Sequence, residues 1–290
     1  MTKASLKTLS TPASVDPHAA LPTSPVALFE SLWRYRKLIL QMTKREVLSR
    51  YRGSVMGLAW SFFNPLLMLI IYTFVFSVVF KARWGVGGEE SKIDFAVVLF
   101  VGLIVHGFFA ECLNRAPALV LSNVNYVKKV VFPLEILAWV ALGSALFHAV
   151  ISLVVLLVAK LLVGQGLEWT VLLVPAVFTP LMLGTVGLTW FVASLGVYLR
   201  DVGQTIGIIT SALLFLSPVF YPLSAIPENY RLIVLLNPLT FVIEQARQVL
   251  IWGEFPDWLG LSLYTAASFI VAWLGFWWFQ RTRRGFADVV

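Results

Sequence analysis

A chain of 290 residues that is 59% hydrophobic, 14% aromatic and only 13% charged lies outside the composition of soluble domains. Its net charge of +7 would suit a nucleic-acid partner, but the basic residues flank apolar runs, so membrane topology accounts for them and no nucleic acid is expected. A lone cysteine, Cys112, excludes an internal disulfide framework.

Residues 1–27 mix prolines with Ser, Thr and Ala, and hold no apolar core of a signal peptide. They are expected to form a disordered cytoplasmic tail. Residues 28–53 carry Leu28, Leu32, Tyr35, Ile39 and Met42 at helical spacing, with Arg34, Arg36, Lys37, Lys44, Arg45, Arg50 and Arg52 around them. Such a run reads as an amphipathic helix lying in the headgroup layer, or as flanking positive charge alone. Immediately after it, Val55–Phe80 contains no charged side chain and is long enough to cross a bilayer, which takes about 20 apolar residues.

Six spans are predicted within residues 54–284, at about 55–80, 95–113, 134–162, 171–197, 205–221 and 259–279, giving an all-α polytopic membrane protein. A Gly-rich hairpin around Gly85–Glu90 joins the first two, residues 114–133 form the next loop, and residues 285–290 a short tail. Most Lys and Arg then fall on one side, so both termini are expected in the cytoplasm. Residues 222–258 fit neither loop nor span. Their apolar runs are too short to cross, and Pro218, Pro222, Pro227 and Pro238 interrupt them. Two short re-entrant helices are expected, with Glu244 and Arg247 spaced to pair; an ordinary external amphipathic helix is the other reading.

None of the 19 glycines precedes a lysine, so there is no phosphate loop of the form G-x-x-x-x-G-K-[ST]. No His/Cys cluster has metal spacing, and no metal site is expected. His106 and His148 read as packing histidines, Glu111 and Glu135 as solvated span ends, and Lys160 as a side chain snorkelling to the interface. If this chain drives transport, the energy comes from another chain.

Three stretches, in order, carry a family resemblance over about residues 30–284: Tyr51-Arg52-Gly53-Ser54-Val55-Met56-Gly57-Leu58-Ala59-Trp60 with Asn64-Pro65; Leu199-Arg200-Asp201-Val202; and Ser217-Pro218-Val219-Phe220-Tyr221-Pro222 with Ile226-Pro227 and Asn237-Pro238. The pattern resembles the permease subunits of type-2 ABC exporters of O-antigen and related polysaccharides. The resemblance implies a homodimer in the bacterial inner membrane bound to two copies of a separate ATPase, which holds ATP and Mg, with no cofactor on this chain and no catalysis by it. The cargo implied is an undecaprenyl-diphosphate-linked polysaccharide; capsule and teichoic-acid exporters share the layout. It implies a coupling helix for the ATPase within residues 114–133, where Val124, Tyr126, Val127, Lys128, Lys129 and Val130 offer contacts; a plain basic loop is the alternative. It also implies a channel along the first and fifth spans.

Residue chemistry adds candidates. Tyr72, Phe76, Phe220 and Tyr221 could give a sugar polymer an aromatic ring to slide past, or serve as interfacial belt and packing. Arg34, Arg36, Lys37, Arg50 and Arg52 could hold a lipid diphosphate, or simply attract anionic lipid. A membrane-embedded transferase for lipid-linked sugars is the rival reading, and a secondary carrier would need mid-span ionisable residues that are nearly absent.

Overall fold

The computed structural model describes residues 23–80, 92–128, 132–162, 164 and 166–289. The tail before residue 23, the Gly85–Glu90 hairpin, Lys129 and Val130 lie outside the described residues. Helix α1 spans Pro25–Arg50. Ser24 caps it by accepting from the Ala27 N–H at 3.2 Å, and Pro25 opens it where a missing N–H costs nothing. Helix α2 (Trp60–Tyr72) follows a single 3₁₀ turn and widens into a π-helical stretch, Thr73–Val79. Then come α3 (Lys92–Arg115), the short α4 (Val124–Lys128), α5 (Ile136–Leu162), α6 (Val174–Tyr198) and α7 (Val202–Leu216). Helices α8 (Glu228–Leu235) and α9 (Pro238–Arg247) precede α10 (Trp258–Thr282) and α11 (Phe286–Val289).

Among the described residues, five helices are long and apolar enough to cross a membrane: Gly57–Phe76, Phe95–Ala118, Ile136–Leu162, Trp169–Tyr198 and Trp258–Val289. The predicted fifth span, 205–221, is different. Its helix α7 ends at Leu216, after 15 residues, or roughly 22 Å at 1.5 Å per residue. Pro218 disfavours helical geometry at Ser217, which sits at φ −90°, ψ 152°. The chain continues as a non-helical segment whose Val219 is fully buried.

In α1, Leu28, Ile39 and Met42 are buried and Leu32 and Tyr35 half-buried. The stripe read from sequence as a lipid-facing surface therefore packs on α5 and α10 instead. Phe29 stacks on Phe269 with centroids 5.8 Å apart, and the Trp273 indole donates to the Thr23 carbonyl at 3.1 Å. A protein surface was available to the stripe, and it removes apolar area from water as well as lipid does.

The helix pair α6–α10 packs backbone to backbone. A Cβ on Gly187 would stand 2.6 Å from the Ala272 Cα, and one on Gly275 would stand 2.6 Å from the Gly187 carbonyl carbon. Small residues at a crossing are the means by which membrane helices gain dispersion contacts where lipid removes the hydrophobic drive. Trp190 fills the space beside this crossing, fully buried, edge-on to Phe276 and Trp139, with its indole N–H on the Glu135 carbonyl at 2.9 Å. Gly275→Leu is expected to force α6 and α10 apart and cost about 3 kcal/mol. Thermal unfolding of the detergent-solubilised protein measures that loss.

Candidate functional site

Three helices each contribute a stripe to one cavity of about 410 Å³. Helix α2 supplies Asn64, Met68 and Tyr72 at four-residue steps, α3 supplies Phe100, Leu103, Gly107 and Glu111, and α5 supplies His148 and Ser152. These spacings place each set on one helical face. The end of α1 closes the cavity with Arg50 and Tyr51.

An ion cluster forms its floor. The Arg50 guanidinium lies 2.7 Å from a Glu111 oxygen, and the His148 Nδ1 lies 2.9 Å from the other. The Tyr51 hydroxyl sits 3.0 Å from His148 Nε2. In the tautomer that satisfies both contacts, Nδ1–H donates to the carboxylate and Nε2 accepts from the phenol. Burial pushes the Tyr51 phenol above its usual range, with Arg50 opposing and Glu111 adding, so the hydroxyl keeps the proton it donates. Arg115, one turn beyond Glu111, lies 3.7 Å from it and bridges to Glu46 of α1. Four charged side chains thus tie α1 to α3, with His148 joining α5.

At the other end of α2, the sequence-nominated aromatics come together. Tyr72 and Phe76 have centroids 6.4 Å apart, and Phe76 stacks on Phe220 at 5.5 Å and 20°. Phe215 joins Phe220 at 5.6 Å, and the Tyr221 hydroxyl donates to the Phe215 carbonyl at 2.8 Å. Tyr72 belongs to both this group and the polar cavity.

The five nominated cations divide. Arg34, Arg36, Lys37 and Arg52 are exposed, with Arg36 over the Trp33 ring at 4.4 Å and Arg34 5.7 Å from the Tyr35 ring. Arg50 is exposed as well, at 38% of its side chain, but is committed to Glu111. Of the nominated coupling residues, Val124, Tyr126 and Val127 sit half-buried on α4. Tyr126 stacks on Phe132 at 4.3 Å and accepts from Arg45 at 2.9 Å.

Several polar residues sit differently from the sequence reading. His106 packs as expected, its Nε2 2.9 Å from the Thr210 carbonyl. His148 does not: it is a member of the ion cluster. Glu111 and Glu135 are partnered rather than solvated, Glu135 with Arg283 at 2.7 Å. Lys160 does not snorkel; it is 2% exposed and donates to the Leu250 carbonyl at 2.7 Å, satisfying the end of the helix that continues α9. The predicted pair, Glu244 and Arg247, does form, at 2.7 Å. The i, i+4 spacing of Glu111 and Arg115 was the available signal for the cluster; Arg50 and His148 join it only through tertiary structure.

Five apolar helices among the described residues, long enough to cross a membrane, one of them (Gly57–Phe76) with only 11% of its apolar window buried, are the architecture of a polytopic membrane protein. The chain belongs to the ABC-2 type transporter family, whose membrane-domain model matches residues 37–251. It is 28% identical to the O-antigen export system permease protein RfbA of Myxococcus xanthus over 267 residues, covering 91% of this chain and 100% of that protein. An RfbA of Klebsiella pneumoniae is 24% identical over 255 residues, 87% of this chain and 95% of the relative. The polysialic acid transport protein KpsM of Escherichia coli is 24% identical over 235 residues, 80% and 88%.

Replacing Glu111 leaves Arg50 without its carboxylate partner and Arg115 with Glu46 alone. Glu111→Ala is expected to destabilise the fold by about 3 kcal/mol, and Glu111→Gln by less because the hydrogen bonds persist. Thermal unfolding midpoints of the two variants in the same detergent check the order.

Proposed function

We propose that this chain is the membrane subunit of an ATP-driven exporter of an undecaprenyl-diphosphate-linked polysaccharide, O-antigen foremost. The observation that carries the reading is similarity along nearly the whole chain to O-antigen export permeases. The KpsM likeness keeps a capsular polymer as the second reading.

The assembly proposed is a homodimer with two copies of a separate ATPase that binds ATP and Mg, in the bacterial inner membrane with both termini cytoplasmic. Two surfaces support it. Helix α2 and its π-helical extension leave Phe62, Phe63, Leu67, Ile70 and Phe74 exposed, and α7 leaves Ile208, Ile209 and Phe215 exposed. Large apolar faces with polar residues such as Gln204 and Ser211 between them suit a wall facing a second copy across a cargo path. The aromatic group of Tyr72, Phe76, Phe220 and Tyr221 would stand at the outer end of that path, where flat rings contact sugar faces without trapping them. At the inner surface the exposed Arg34, Arg36, Lys37 and Arg52 would meet a lipid diphosphate. Lys128-Lys129 and the α4 segment would face the ATPase, and α1 would lie in the interface. Here the outward face of α1 matters: Val26, Trp33 and Leu40 are 63%, 71% and 69% exposed, and Lys37 and Lys44 share that side.

Cells lacking this chain are expected to accumulate undecaprenyl-linked polymer internally and lose it from the surface. Tyr72→Ala with Phe76→Ala should lower surface polymer several-fold while Arg52→Glu should reduce cargo loading, in each case with normal membrane levels of the protein. Immunoblotting of fractionated polymer reads both. Co-purification of a Walker-motif ATPase separates the exporter from a transferase of lipid-linked sugars, which would be active alone.

A further inference from the structure

The charge balance of the α2–α3–α5 cavity differs from that expected of a phosphate site. Its guanidinium, Arg50, is already neutralised by Glu111 at 2.7 Å, and the carboxylate itself lines the cavity. An anion entering would lie close to that carboxylate and would have to compete with it for Arg50, whose side chain is 38% exposed. What the cavity does offer is a dense mixture of donors and acceptors beside flat apolar walls. Asn64 and the Tyr72 hydroxyl have no hydrogen-bond partner among the described residues, and Arg50, Tyr51 and Glu111 keep further capacity. Pro65, Met68, Phe100 and Leu103 supply apolar faces. The neighbouring cavity of about 430 Å³, across Ile104, is by contrast lined by Leu146, Val150, Phe178 and Met182 and suits lipid chains.

We propose that the α2–α3–α5 cavity is a glycosyl site, which takes one uncharged sugar unit of the cargo through its hydroxyls and leaves the diphosphate to the exposed cations of α1 and Arg52. This rests on the exporter reading and adds to it the part of the cargo that the cavity recognises. A volume of about 410 Å³ lies within the roughly 300–1,000 Å³ usual for small-ligand pockets. A carboxylate and an amide together satisfy vicinal hydroxyls, which donate to the one and exchange bonds with the other. Ring C–H faces pack on Tyr72 and Phe100. Ionisable groups inside a span are costly unless used, and the Arg50–Glu111–His148 cluster sits on three elements that converge here. Gly107 marks the room left for the ligand: a Cβ built on it meets nothing within 4 Å.

The test uses the full chain in lipid nanodiscs with two probes: undecaprenyl diphosphate, and the same lipid carrying one N-acetylglucosamine. Binding is titrated for wild type, Gly107→Leu and Asn64→Ala. The expected result is that the glycosylated lipid binds wild type at least ~10-fold more tightly than the bare diphosphate. Gly107→Leu should erase that preference and Asn64→Ala should cut it ~5-fold, while the bare lipid binds all three alike. Circular dichroism and gel filtration report folding; if Gly107→Leu fails them, Asn64→Ala, an exposed side chain, decides alone. Equal binding of the two lipids to wild type, or an unchanged preference in Asn64→Ala, overturns the glycosyl site and leaves the exporter reading standing. Variants that weaken both lipids equally assign the cavity to the diphosphate and also overturn it. Failure of wild type to bind either lipid removes the exporter reading, and the glycosyl site with it.

Discussion

Backbone polar groups in a membrane domain must be satisfied by the protein itself, and the segment after α7 is where this constraint bears hardest. Ser217 to Tyr221 leaves the helix at Pro218, which disfavours its continuation, and so frees carbonyls and amides within a buried region. The answer is Arg247, whose side chain is fully buried. Its guanidinium donates to the Val219 carbonyl at 3.2 Å and to the Val98 carbonyl of α3 at 3.3 Å, while Glu244 balances its charge. Asn237 completes the arrangement by donating to the Ser217 hydroxyl at 2.8 Å and capping α9 through the Leu239 N–H. Lys160 and Thr170 do the same for the helix that follows, on the carbonyls of Leu250 and Val249. The position of Phe220 follows from this, since Val219 is fixed beside it. The stacking of Phe220 on Phe76 is therefore a consequence of one arginine on a short helix that never crosses the bilayer.

Helix α1 carries a comparable burden at its own end of the fold. Its two apolar faces are opposed: Leu28, Ile39 and Met42 meet the protein, while Val26, Trp33 and Leu40 point away from it. A helix held between a packed bundle and its surroundings in this manner has little freedom to rotate, because turning it would expose one set and bury the lysines of the other. That fixed rotation aims Arg50 and Tyr51 at Glu111 and His148. The Glu46–Arg115 bridge sets the same register one turn before Arg50.

The five long apolar helices were legible because each depends on a local property, a long apolar run. The Glu244–Arg247 pair was legible for the same reason, being one helical turn. The α1 stripe was visible as periodicity, but periodicity does not say whether lipid or protein covers it. Pro218 was visible too, yet its effect on the fifth span was underestimated, since hydropathy continues through Val219, Phe220 and Tyr221 after helical geometry has stopped. Beyond the i, i+4 spacing of Glu111 and Arg115, nothing local pointed to the Arg50–Glu111–His148 cluster. Its members lie on three elements separated by tens of residues, and each has an ordinary local explanation, as flanking charge, span end or packing ring. Gly107 gave no signal, because a glycine that leaves room for something looks like any other helical glycine.

The separation of Arg50 from the other basic residues has a consequence for how a charged lipid anchor and a neutral polymer could share one subunit. Exposed cations such as Arg34 and Arg52 sit in solvent or headgroups, where their attraction for anions is long in reach, weak, and screened over about 8 Å at physiological salt. Weak attraction suits a headgroup that must arrive and leave. An unpaired cation at the cavity wall would hold the same diphosphate more firmly than one in open solvent. Pairing Arg50 with Glu111 removes that trap while keeping both side chains as hydrogen-bonding groups for hydroxyls. A neutral polar cavity beside a basic surface therefore separates recognition from retention: the surface attracts the charged end, and the cavity contacts only what can be released.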